Sequence, residues 1–404
     1  MKFRTVIRKN DIYVLLLIIM IVGSSWDALL GTSYLDEIAL ICLLGVSLLF
    51  RIHVDTLPLV CLLIYSMICL LGLLRGYGSL TDAFNYIKCM LTFVMIPALN
   101  LKNIDKKRIW NVFKLSNAIS VAVGITNSVC YNVLHRNLIF ESGNLKDIDG
   151  VLVHRMAGFC SFSGVMATIC LCLLVVDLFK ADKKFLDYFW VLYWLVGIYC
   201  TRGRVPLYSA VCIIAIYFWK CLPIKLRKKI FPFFFLTAIL LCIIVIPSAL
   251  DYIKTQFAED FQNQIRWKVY LKYSEIFDVG WLVLPNLFLG VGCGYLGTVY
   301  ESHFAITLIE TGIVGLSAWY APLIFYFVRL IRANRYTEKN LAVMVLLGFY
   351  LVNCFINKSY DVPFLPVMCV LLNGAFSKSL VTGFDKSKSH HRIVIFRSRV
   401  HPVI

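Results

Sequence analysis

Charge is the first shortage. Only 16% of the 404 residues are Asp, Glu, Lys or Arg, against roughly a quarter in ordinary soluble domains. With 60% apolar residues and a mean hydropathy of +0.79, no segment has the polar surface that a water-soluble domain requires. Cysteine-pair motifs are missing as well. No C-x-x-C occurs, and most of the 15 Cys stand inside apolar runs, among them Cys61, Cys69, Cys170, Cys172, Cys212 and Cys242. There a thiol behaves as a small hydrophobe. The seven His are too scattered for metal-ligand spacing. Neither a disulfide framework nor a zinc site is supported, and no cofactor is expected. No internal repeat of the kind that marks many transporters is visible.

Apolar runs, by contrast, recur from end to end, each of roughly 17 to 25 residues and so able to cross about 30 Å of hydrocarbon as a helix. They place spans near residues 11–25, 35–50, 57–74, 83–99, 109–130, 156–179, 185–200, 205–221, 230–250, 305–328, 341–357 and 362–380. The expected fold is all-α: a single polytopic membrane domain over 1–404 with about twelve transmembrane helices. Residues 1–10 carry Lys2, Arg4, Arg8 and Lys9 ahead of an apolar stretch, a pattern shared with signal peptides. With so many spans behind it, this segment reads as a retained first helix.

Forty Lys and Arg against 23 Asp and Glu give a net charge of +17. On a soluble protein that balance points to nucleic acid; here it reports topology, because cytoplasmic loops retain Lys and Arg. With both termini inside, 27 of the 40 fall in the inner segments or at their edges, 11 in the outer ones, and Lys88 and Lys114 lie within spans. Nucleic acid is therefore excluded as a partner, and the lipid bilayer is expected as one. Two outer loops stand out by length, 131–155 and 251–304. The second carries Trp267, Tyr270, Tyr273, Phe277 and Trp281, enough aromatic surface to fold onto the membrane. The tail, 381–404, is polar and basic and reads as a solvated cytoplasmic segment near anionic lipid.

Candidate functional residues are those that break the charge rule. Thr201-Arg202-Gly203-Arg204 forms a tight outer turn with two guanidinium groups at the membrane surface. Arg offers a planar fork of donors suited to phosphate oxygens, although Arg at this depth also snorkels to headgroups. Arg155 closes the first long loop beside His154, and Arg266 lies in the second. Separate cations on one face of the membrane suit a lipid-linked diphosphate, whose charges stay at the headgroup plane while its tail lies among helices. Gly290, Gly292 and Gly294 permit close backbone approach, and their amides are candidates for phosphate, although a plain turn explains them as well. No Lys-Ser/Thr follows, so a nucleotide-binding loop is excluded. Glu301 and His303 at the mouth of the next span supply the usual parts for moving a proton from a hydroxyl. Glu310 lies two turns further in and needs a cavity or a partner. Gly312 and Gly315 read as close-packing residues.

The order of these features resembles the O-antigen polymerase and ligase superfamily. It is carried by Thr201-Arg202-Gly203, Arg266-Trp267, the run from Pro285 to Gly292, Glu301-Ser302-His303 and the run from Glu310 to Gly315. The resemblance covers 201–316 and is closest to the Wzy-type repeat-unit polymerases. It implies a multi-pass protein of the bacterial inner membrane whose two long loops are periplasmic. The implied reaction is glycosyl transfer from undecaprenyl-diphosphate-linked oligosaccharides to an acceptor sugar hydroxyl, building O-antigen or capsular polysaccharide. Arg202 and Arg266, with Arg204 and Arg155, would bind diphosphate; His303 or Glu301 would accept or orient the acceptor's proton. A chain-length regulator and a flippase are the protein partners it implies. Two alternatives remain: a ligase that moves finished glycan to lipid A-core, and a transporter of lipid-linked glycans. Ligases usually place Asn or a similar polar residue after this His, where Phe304 stands here.

Overall fold

In the computed structural model, the structure describes residues 9–30, 35–48, 53–76, 79–98, 106–134, 136, 145–148, 151–160, 162–180, 183–223, 225–226, 229–230, 284–295, 303–332, 342, 344–351 and 392–394. These residues are mostly helical. In order, the helices are α1 (Lys9–Ser25), α2 (Asp27–Leu30), α3 (Leu35–Leu48), α4 (Thr56–Leu74), α5 (Leu80–Ala98), α6 (Lys106–Leu134), α7 (Ser163–Leu178), α8 (Phe185–Cys200), α9 (Arg204–Cys221), α10 (Leu284–Leu289) and α11 (His303–Arg332). Four short strands interrupt them: β1 (His53–Asp55), β2 (Leu145–Ile148), β3 (Val151–His154) and β4 (Arg392–Val394).

Among the described residues, three helices, Thr56–Leu74, Arg108–Leu134 and His303–Arg329, are long and apolar enough to cross a membrane, and five shorter apolar helices accompany them. α4 shows why. Tyr65, Ile68, Cys69 and Gly72 turn inward, while Leu57, Val60, Leu63, Ile64, Met67, Leu70, Leu71 and Leu74 are exposed on the opposite face. A helix apolar all round is either enclosed by protein or faces hydrocarbon. The expected spans 230–250 and 362–380 lie almost entirely outside the described residues, as does much of 341–357.

α7 is buried along nearly its whole length and packs against α8 and α9; α4 packs against α11 and α5, and α1 against α3 and α6. Charges inside this packing are matched. Lys114 Nζ lies 2.8 Å from the buried Asp177 carboxylate, which also accepts from Trp194 Nε1 at 2.8 Å. Lys88, the other in-span cation, meets Glu37 at 2.9 Å.

Two sets of element ends meet one another. β1 pairs antiparallel with β4, so part of the tail, expected to be only solvated, forms a strand against the 53–55 loop. Arg329 reaches Asp55 at 2.6 Å in the same region. At the opposite end of α4, Arg75 Nη1 donates to Gly290 O at 2.9 Å and Ser79 N to Cys293 O at 2.8 Å. Within the first long loop the described residues carry secondary structure: α6 runs on to Leu134, and β2 pairs antiparallel with β3.

The expected span 305–328 is not one helix. Gly312 has φ 68° and ψ −173°, outside helical geometry. His303 and Trp319 would be about 24 Å apart along a straight helix, yet their ring centroids are 4.7 Å apart, and those of Phe304 and Tyr320 6.0 Å. Thus α11 is a hairpin: a short limb, 303–311, folds back on a long limb, 313–332. Twenty residues in the long limb still extend about 30 Å.

Candidate functional site

The turn between α8 and α9 is built around Thr201. Fully buried, it donates from Oγ1 to Ile198 O at 2.7 Å and ends α8. Arg202 follows at φ 53°, the one non-glycine residue with positive φ among those described. A residue just past a helix end often takes this left-handed conformation, but it is normally Gly, because a Cβ there costs about 1–2 kcal/mol. The side chain of Arg202 is exposed.

Arg155 is brought to the same turn. Its Nε donates to Thr201 O at 3.0 Å, and Met156 N donates to Cys200 O at 3.1 Å. The preceding residue anchors this strand to α6: Ser128 Oγ donates to His154 O at 3.0 Å, and His154 N to Asn132 Oδ1 at 3.3 Å. Burial pushes the His154 imidazole below its ordinary pKa. Beside these groups an open cleft of about 370 Å³ runs between α6 and the turn, with Ser128, Asn132, Tyr199, Arg202, Gly203 and Leu207 among its walls. Polar atoms thus collect at one end of a largely apolar groove. Arg204 begins α9, two residues past Arg202. Arg266 lies outside the described residues.

The glycine segment does something other than offer amides to phosphate. Its amides are spent on the α11 hairpin: Val291 N donates to Ile309 O at 3.0 Å, Gly292 N to Glu310 O at 2.9 Å, and Gly294 N to Glu310 Oε2 at 2.9 Å. Carbonyls at a helix C-terminus have no partner in their own helix, and the break at Gly312 leaves those of the short limb inside the bundle. The 290–292 backbone caps them. A Cβ on Gly290 would collide with the Glu310 carbonyl, and one on Gly312 with the Phe288 carbonyl, so side chains are excluded on both sides of this contact. Arg75 holds the segment from outside by bonding Gly290 O and the Asn286 side chain. The plain-turn reading of the glycines is the one the geometry supports.

His303 does not line an open mouth. It is fully buried, with its ring among Trp319 and Tyr86 and its Nε2 3.4 Å from Thr307 Oγ1. Glu301 lies outside the described residues. The buried carboxylate near His303 is Glu310, whose Oε2 accepts from Tyr86 OH at 2.9 Å as well as from Gly294 N. Arg75, Tyr65, Tyr86 and Trp319 are not singled out by sequence pattern. Arg75 had a legible signal, since the charge and hydropathy pattern assigns it, like Arg202, to an outer segment; the aromatics had none, being ordinary members of apolar runs.

No protein-family model matches this chain, and no curated protein matches it.

Proposed function

We propose that this protein polymerises lipid-diphosphate-linked oligosaccharide repeat units on the outer face of the bacterial inner membrane. The reading rests on the resemblance of 201–316 to the O-antigen polymerase and ligase superfamily. One observation carries it furthest: Arg202 occupies a left-handed backbone position that favours Gly, beside Arg155 and at the rim of a cleft. Backbone strain of this kind persists where the surrounding structure holds it, and it concentrates at functional sites.

The chemistry asked of such a site is modest. Diphosphate is already a good leaving group, so the protein has to orient two glycan chains and stabilise charge growing on the departing phosphate. Arg155 and Arg202, joined in this reading by Arg204 and Arg266, supply that charge without metal or nucleotide. A tail among the helices and a diphosphate at their ends match a largely apolar groove with the Arg202 cation in its wall. In this reading the acceptor hydroxyl gives its proton to His303, or to Glu301; for the fully buried His303 this requires the bundle to open around the ring.

Deleting the gene and resolving the cell's surface polysaccharide on a gel tests the reading. A product of single repeat units is expected. Accumulation of finished lipid-linked polymer would make the protein a ligase, and loss of outward-facing intermediates would make it a flippase.

A further inference from the structure

Four rings close a cycle inside the bundle. Tyr65 meets Tyr86 at 6.3 Å between centroids, Tyr86 meets His303 at 6.4 Å, His303 meets Trp319 at 4.7 Å, and Trp319 returns to Tyr65 at 5.3 Å. All four are at most 2% exposed, and Glu310, bonded to Tyr86, is 1% exposed. Rings from α4, α5 and both limbs of α11 therefore pack together in one buried cluster. Two of them bring hydrogen-bonding atoms that no protein atom satisfies: Tyr65 OH and Trp319 Nε1.

An unsatisfied buried hydroxyl or indole N–H costs about 1–3 kcal/mol. Two such groups on adjacent rings, with an imidazole and a tyrosine–carboxylate pair in the same cluster, are polar groups of the kind an internal water with two to four partners satisfies. We propose that this ring cycle is a binding site for a single water molecule, which accepts from Trp319 Nε1, bonds Tyr65 OH and links His303 to the Tyr86–Glu310 pair. The site stands on its own geometry. Its use as a proton relay rests on the glycosyl-transfer reading above.

In that use, the acceptor hydroxyl gives its proton to one nitrogen of His303, and the other nitrogen gives a proton to the water. The water passes one of its protons to Tyr86 oxygen as Tyr86 hands its own hydroxyl proton to Glu310. The water and Tyr86 return to their starting states, His303 ends as its other neutral tautomer and Glu310 ends protonated. The deprotonated hydroxyl forms the new glycosidic bond as the sugar's bond to the diphosphate oxygen breaks and the lipid diphosphate leaves. His303, though enclosed, then has an exit for the proton it receives.

Tyr65→Phe separates this site from a dry aromatic core. Removing an idle hydroxyl from a dry core leaves stability unchanged or raises it, whereas removing a water ligand strands the remaining partners. The expected result in purified, reconstituted protein is a Tm lower by about 2 °C or more, with a shift in the imidazole pH midpoint of His303 followed by 15N NMR and assigned with His303→Gln. A Tm equal to or above that of the parent, or an unmoved His303 midpoint, would overturn the site. Glu310→Gln tests the relay: at least a tenfold loss of glycan transfer with donor binding intact is expected, and normal turnover overturns the relay while leaving the Tyr65→Phe result to judge the site. If the parent protein itself transfers no glycan, the function fails and the two Tyr65→Phe readouts still decide the water site.

Discussion

Arg202 sets stability against function at a single residue. Because its backbone is left-handed, Arg202→Gly removes the Cβ penalty and should raise stability by about 1 kcal/mol, while deleting the guanidinium should reduce glycan transfer by roughly 100-fold. Arg202→Lys keeps the charge but not the bidentate fork, so partial activity is expected. Denaturation and transfer assays on the same preparations check both halves; a fully active Arg202→Gly protein would remove the residue from the site. His154 carries a pH dependence of determined sign. Its folded pKa lies below its unfolded value of about 6.5, so the native state binds fewer protons, and the stability this provides above that pH is lost as pH falls through and below it. Hydrogen exchange of residues 151–156, corrected for intrinsic rates, should therefore quicken between pH 7.5 and pH 5.5. Equal protection at the two values would contradict the burial of a neutral imidazole. Arg202 was singled out from sequence because a cation in a segment assigned to the outer side departs from the topological charge rule. Its backbone conformation was not, since nothing in Thr-Arg-Gly-Arg says which residue takes positive φ.

Among the elements, the most informative is the hairpin of α11. Hydropathy reads 305–328 as one span because apolar character persists across Gly312, and a window average does not register a single backbone reversal. The glycines at 290–294 were legible as a close-approach device, but their partner was not: the carbonyls they cap belong to a helix limb whose end is invisible to periodicity. Gly290→Ala and Gly312→Ala should each destabilise by about 2–3 kcal/mol, since both place a Cβ against main chain that cannot rotate away. Thermal unfolding against Gly164→Ala, where the added Cβ meets nothing, checks this. The pairing of α6 with α7 makes a second expectation. Lys114→Met strands the buried Asp177 and should cost about 3–5 kcal/mol, whereas the double change Lys114→Met with Asp177→Leu should recover much of the loss. Additive losses would show that the two charges are not coupled.

For the whole molecule, the alternation of charge and hydropathy assigns 51–56 and the tail to one side and 75–82 and 251–304 to the other. Segments 53–55 and 392–394 pair with each other, and Arg75 meets the 290–294 segment. It did not anticipate the aromatic cycle around His303, because contacts between α4, α5 and α11 are long-range and each residue alone is a normal core aromatic. The alternation also assigns sides: 131–155 and 251–304 outside, 222–229 and the tail inside. Reporter fusions at Gly280 and Lys386 should report opposite sides of the membrane, and the same side for both would overturn the assignment. The central claim is the transfer reaction itself. The most direct measurement is polymerisation by purified protein in lipid, supplied with an undecaprenyl-diphosphate-linked repeat unit and compared with Arg202→Gly. The account predicts a ladder of polymer lengths with undecaprenyl diphosphate released by the parent protein, and single repeat units only from a folded Arg202→Gly. Single units from both proteins, or equal ladders from both, would contradict it.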